Sequence, residues 1–151
     1  MHYEHEKIGF NYRMSNICAG IGRGQMTVLE DHIKHHQHVH ELYSSLMNNP
    51  SVSRVSINPN PDFNSNFWLT TALFNDGVDI ETLCKKLDKA GIEARPVWKP
   101  MHKQPVYKNC PAYVNGVSEA IFKVGMCLPA GPYVKDDDVK YIVAKIKEAI
   151  I

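Results

Sequence analysis

The longest apolar series in the chain runs through Ile17, Ile21, Val28, Ile33, Val39, Tyr43 and Leu46, with polar residues between, which predicts one long helix. Ser15 supplies a capping oxygen before it, and Asn48-Asn49-Pro50 stops it. Gly20, Gly22 and Gly24 weaken its first turns. A helix of roughly 30 residues extends about 45 Å at 1.5 Å per residue. That exceeds the width of the small domain that follows, so part of its surface is expected to pack on a domain or subunit outside this chain.

Residues 1–14 show neither a helical nor a strand period and read as an extended arm. After the helix, 52–57 alternates enough for a strand, 58–66 is a loop rich in Pro, Asn and Asp, and 67–74 (FWLTTALF) reads as an apolar central strand. Asp79 caps a helix through Ile80, Leu83 and Leu87, closed by Gly91, and 92–97 follows as a strand. Prolines at 96, 100, 105, 111, 129 and 132 keep most of 98–115 out of regular structure. A helix at 117–125 and a last one at 135–150, entered through Asp136-Asp137-Asp138, complete the pattern. The order helix, strand, strand, helix, strand, helix, helix predicts an α+β fold, a short sheet covered by helices. It divides into an arm (1–14), a long connecting helix (15–49) and a small domain (50–151).

Composition adds exclusions. With 151 residues, 44% apolar and 22% charged, the chain has the makeup of one ordinary globular domain. Its net charge of +1 gives no electrostatic reason to expect nucleic acid or an anionic membrane as partner. No run approaches the ~18 apolar residues of a membrane span, and the first twenty residues lack the pattern of a secretory leader, so a cytoplasmic location is expected. Cys18, Cys84, Cys110 and Cys127 form no Cys-x-x-Cys pair and are expected to be buried free thiols.

Candidate chemistry is confined to two segments. Gly9-Phe-Asn-Tyr-Arg-Met-Ser-Asn16 gathers amides, hydroxyls and a guanidinium, the donors that a phosphate or sugar diphosphate requires; the same residues also suit a capping loop in which Asn11 and Ser15 satisfy backbone groups. In Arg95-Pro-Val-Trp-Lys-Pro-Met-His-Lys-Gln-Pro105, a proline-stiffened loop follows a strand. Trp98 there could stack on a sugar or base, Lys99 meet a diphosphate and His102 donate a hydrogen bond; alternatively Trp98 caps the domain's core. His32, His36 and His40 share a helix face at i, i+4 and i+8, but no carboxylate stands where a HExxH base would, and no functional metal is expected. Gly20-Ile-Gly-Arg-Gly24 lacks the third spaced glycine and the preceding strand of a dinucleotide turn. No Gly-x-Ser-x-Gly occurs, and no lysine has a context that marks it as catalytic, so no catalytic residue is assigned.

These two segments, with Trp68 in Ser-Asn-Phe-Trp-Leu and the Cys-Leu-Pro-Ala-Gly-Pro run at 127–132, resemble the carboxy-terminal part of DegT/StrS-type sugar-nucleotide aminotransferases. The resemblance implies the small domain of a fold-type-I transferase that uses pyridoxal phosphate, with the Schiff-base lysine in a domain preceding Met1. It implies that Asn11 reaches the cofactor phosphate of a partner subunit, that Arg13 points to the nucleotide sugar, and that the loop of Trp98, Lys99 and His102 projects into the neighbouring site. An amino-acid donor such as glutamate and a nucleotide-linked keto sugar are the implied substrates, and a homodimer or association with an upstream half the implied assembly. Some relatives acting on sugar acids carry His where this chain has Val97, which favours a neutral 4-keto-6-deoxy sugar. The chain alone is then expected to be inactive. The rival expectation is a non-catalytic α+β domain whose arm and helix serve only dimerisation.

Overall fold

A computed structural model describes residues 3–49, 53–55, 60 and 62–150. Helix α1 spans Asn16–Met26 and α2 Leu29–Met47, so the single helix expected from 15 to 49 is broken. The break has a local cause. Glycines at 20, 22 and 24 loosen α1, and Thr27 then closes it, its Oγ1 donating to the Gly24 carbonyl at 2.7 Å and its N–H to the same oxygen at 3.2 Å. Val28, at φ −120° and ψ 7°, turns the chain before α2 restarts with Glu30 and Asp31 in its first turn. Ser15 does cap α1, its Oγ accepting the Cys18 N–H at 3.2 Å.

Strands β1 (Ser53–Val55), β2 (Thr70–Phe74), β3 (Arg95–Pro96) and β4 (Gly125–Leu128) form one antiparallel sheet in the order β1-β2-β4-β3. Three expectations need correction here. The strand expected at 67–74 starts only at Thr70, because Phe67 sits at φ +46° and side chains of Ser65 and Asn66 hold the N–H groups of Phe67 and Trp68 in turns. The strand expected at 92–97 shrinks to two residues, since Ile92 is taken up in closing the preceding helix. The helix at 117–125 is α4, Val117–Val124, and Gly125 opens β4, a strand absent from the expected pattern. Of the strand expected at 52–57, 53–55 is present and 52, 56 and 57 lie outside the described residues.

The helix α3 (Ile80–Lys89) shows why local signals were legible there. Asp79 accepts the Glu81 N–H at 3.2 Å, and Gly91 at φ +74° closes the other end. The Ile92 N–H bonds the Leu87 carbonyl at 3.0 Å and the Gly91 N–H the Asp88 carbonyl at 2.9 Å, the paired bonds of a Schellman cap. The last helix, α5, runs Asp136–Ile150, and the Asp138 carboxylate reaches back to the Lys135 N–H at 2.9 Å.

Helices α2, α3 and α5 cover the sheet. Val39, Tyr43 and Met47 of α2, Ile80, Leu83 and Leu87 of α3, and Val139, Ile142 and Val143 of α5 meet Ala72, Phe74, Met126 and Leu128 in one core. Tyr43 is fully buried, and its hydroxyl donates to the Pro129 carbonyl at 2.9 Å, tying α2 to the turn after β4. None of α1 is buried. Of the cysteines, Cys84 alone is fully inside; Cys18 and Cys110 are exposed and Cys127 half-buried, so only part of the expected set packs as core.

Candidate functional site

The arm has a fixed root and a free remainder. At the root, the Lys99 ammonium pairs with Glu4, and the Tyr3 hydroxyl accepts from Arg95 at 2.5 Å while its ring lies under the same guanidinium, 5.9 Å away. Beyond it, residues 7–14 are exposed, Phe10 at 86% and Tyr12 at 90%. Arg13 adopts φ +59°, unusual outside glycine, and the Asn11 Oδ1 accepts its N–H at 3.2 Å. The capping-loop reading of the arm is realised, since Asn11 and Ser15 do satisfy backbone groups. The Asn11 amide hydrogens and the Arg13 guanidinium still have no partner among the described residues. α1 continues this surface with Ile17 at 76%, Ile21 at 61% and Met26 at 66% exposure.

The proline-rich loop is built by short 3-10 turns at Met101–Lys103 and Pro105–Tyr107, each fitted between prolines that fix φ. Trp98 is 52% exposed and does not cap the core. The His102 Nε2 and Glu119 Oε1 stand 2.9 Å apart, and Lys103 donates to the other oxygen of that carboxylate at 2.9 Å. Lys103, and then His102, hold the Glu119 carboxyl below the usual range. Met101, His102, Tyr107, Cys110 and Tyr113 line a hollow of ≈ 390 Å³ beside this cluster.

Within this chain the candidates fall into separate groups. Lys99 is joined to the arm root and His102 to α4, and no hydrogen bond or ion pair among the described residues links Asn11 or Arg13 to Trp98, Lys99 or His102. Val97 is 8% exposed, so its side chain offers no substrate contact here. Of the histidine row, which stays on α2, His40 stacks on Phe67 with ring centroids 3.9 Å apart, while His38, outside that row, pairs with Asp136 at 2.8 Å. Sequence reading passed over Tyr3, Glu4, Gln104 and Glu119. Gln104 alone carried a signal, as an amide set between stiff loop positions.

An exposed arm and helix precede a small helix-covered sheet and leave their apolar and polar side chains uncovered among the described residues. Residues 1–147 match the DegT/DnrJ/EryC1/StrS aminotransferase family, and the chain belongs to it. EpsN of Bacillus subtilis (strain 168), whose name places it among pyridoxal phosphate-dependent aminotransferases, is 34% identical over 145 residues, covering 91% of this chain and 36% of EpsN. The GDP-perosamine synthase of Escherichia coli O157:H7 is 32% identical over 146 residues, covering 97% of this chain and 39% of the synthase. The crystal structure of DesI with its TDP-sugar product shares the fold at a TM-score of 0.80 and 19% identity, over 91% of this chain and 36% of DesI. The chain thus spans well under half the length of the relatives it matches. Pyridoxal phosphate is the cofactor of these aminotransferases, as the resemblance implied. Among the described residues no helix is long and apolar enough to cross a membrane.

Proposed function

We propose that the chain is the carboxy-terminal, small-domain part of an aminotransferase that moves an amino group from an amino acid such as glutamate to a nucleotide-linked keto sugar. The observation that carries this reading is the arm: a family member's polar octapeptide stands exposed, its guanidinium unpartnered among the described residues, beside an apolar helix with no buried residue. The donor set fits a phosphorylated cofactor and substrate. Asn11 is suited to a cofactor phosphate oxygen, and Arg13 to a diphosphate by paired N–H donors. Pyridoxal phosphate, when bound, supplies the electron sink that lets nitrogen leave one carbon and enter another. Trp98 offers an indole face to a sugar or base from the loop, and the same loop carries Lys99, paired with Glu4, and His102, paired with Glu119. On this reading the cofactor's lysine belongs to polypeptide outside residues 1–151, and the arm serves a neighbour's site across a dimer. A neutral 4-keto-6-deoxy sugar remains the substrate class proposed, on Val97 standing where relatives acting on sugar acids carry His, and the likeness to GDP-perosamine synthases supports a nucleotide-linked sugar.

Complementation tests it. Asn11→Ala or Arg13→Ala, in a transferase assembled with its lysine domain, should lose roughly tenfold or more in substrate or cofactor use, as expected for one charge-assisted donor removed from a desolvated phosphate site. Mixing such a mutant with a subunit lacking the cofactor-binding lysine should restore part of the activity, because the second subunit lends a normal arm to the first one's lysine. Mixed dimers as impaired as the mutant homodimer would refute an arm acting across the interface. The rival, a non-catalytic dimerisation domain, is favoured instead if neither substitution changes amino transfer.

A further inference from the structure

One side chain ties the arm's root down. Gln104 is 2% exposed in a loop otherwise close to solvent. Its Oε1 accepts the His5 N–H at 2.8 Å, and its Nε2 donates to the Tyr3 carbonyl at 3.1 Å and the Lys99 carbonyl at 3.3 Å. The His5 carbonyl in turn accepts the Val106 N–H at 3.1 Å. A carboxamide of this length presents one acceptor and two donors on a single plane, and here all three functions are used. A buried amide costs stability unless it is bonded, and two of the three bonds that satisfy this one go to the arm segment, the third to the Lys99 carbonyl of its own loop.

We infer that Gln104 is a positioning residue for Asn11 and Arg13, an inference that rests on the function proposed for the arm. Six steps of chain lead from His5 to Asn11, a reach of at most about 22 Å at 3.3–3.6 Å per residue. Fixing His5 thus confines the arm's polar end to a bounded volume. Releasing it dilutes Asn11 and Arg13 over a larger one, and the apparent affinity falls with the fraction of time they are in place. Lys99 shares the arrangement through its carbonyl and its ion pair with Glu4, which gives that loop lysine a role in arm placement.

The test compares the wild-type chain with Gln104→Leu and Gln104→Glu by amide hydrogen exchange and by limited trypsin cleavage after Lys7. Gln104→Leu should speed exchange at His5 and Val106 and cleavage at Lys7 by on the order of tenfold to a hundredfold, while α3 and α5 amides keep their protection. Gln104→Glu keeps an acceptor for His5 but loses both donors, and should fall between. His5→Pro removes the N–H that the Gln104 Oε1 accepts while leaving Gln104 itself in place, and should release the arm even if a Gln104 variant fails to fold. In the assembled transferase the Gln104 variants should raise KM for the nucleotide sugar with kcat nearly kept, since the contacting side chains are intact. Unchanged exchange at Val106, whose N–H bonds the carbonyl of residue 5, in both Gln104→Leu and His5→Pro overturns the anchor. A freed arm with unchanged KM overturns the positioning role, whereas Asn11→Ala and Arg13→Ala without effect overturn the function on which it rests.

Discussion

Gly125 closes α4 and opens β4 with no residue between, and replacing it with Ala tests how tightly that junction is packed. Its φ of −97° and ψ of 138° are open to any residue, so backbone strain is not the issue. Space is. A Cβ there would lie 2.7 Å from the Ile121 carbonyl oxygen and 2.8 and 2.9 Å from the two methyl carbons of Val97. The carbonyl belongs to the last turn of α4 and moves only with the helix. Val97 is stiff at χ1, and its N–H is bonded to the Gly125 carbonyl at 3.0 Å, so it yields little. Overpacking of this kind costs about 1–3 kcal/mol, and two unyielding walls place Gly125→Ala near 3 kcal/mol. With a urea m-value of roughly 1.5–2 kcal/mol/M, the midpoint should fall by about 1.5–2 M at unchanged m. Gly131→Ala is the control, since nothing lies within 4 Å of a Cβ built there. Adding Val97→Ala to Gly125→Ala should recover part of the loss in a double-mutant cycle, leaving the cost of the Ile121 contact. A Gly125→Ala midpoint equal to that of Gly131→Ala would refute the argument.

Tyr43→Phe should cost about 1–2 kcal/mol in the same urea assay, because it leaves the buried Pro129 carbonyl without its donor. Burial holds His36 and His40 below their usual value near 6.5, with His35 adding to the effect on His36. Below about pH 6.5 the unfolded chain therefore binds protons that the folded chain refuses, so stability should be full above that pH and fall as pH drops below it; His36→Gln with His40→Gln should flatten the fall. The depressed carboxyls of Asp79 and Glu119 act in a lower window, as pH falls below about 4.5, and leave this range clear. Ile17→Asp with Ile21→Asp should weaken self-association in sedimentation while leaving the unfolding free energy from the urea assay within about 0.5 kcal/mol, as expected for positions that the chain itself does not bury.

What the sequence made legible was what short-range chemistry decides. Ser15, Asp79 and Gly91 mark helix ends through bonds spanning two to five residues, and all three do so in the structure. β4 escaped because its four residues carry too short a pattern, and because it gains strand character only by lying between β2 and β3, partners far away in sequence. The break at Thr27–Val28 was foreshadowed by the glycines, yet its place depends on a threonine folding back on Gly24. Phe67 deceived for a different reason: an apolar run read as strand contains a left-handed residue whose ring is held against His40. At the candidate site, residue types in the arm were readable, but the partners of Lys99 and His102 lie 95 and 17 positions away and no local pattern announces them.

The distribution of burial separates what folds this chain from what it offers to others. The first residue in the core is Val39, halfway along α2, and every core residue lies from there to Ile146. The arm, α1 and the start of α2 therefore add little hydrophobic stabilisation, although they hold Ile8, Phe10, Tyr12, Ile17 and Ile21, each more than half exposed. Apolar side chains in that number, with the polar groups of Asn11 and Arg13 among them, have no folding role to explain them. Only a surface outside the described residues can bury them. Because the core does not depend on that segment, substitutions there change association and binding at nearly constant stability, whereas those from Val39 onward change stability first. The two effects are joined at Gln104, where a buried core-side amide holds the root of an otherwise free arm.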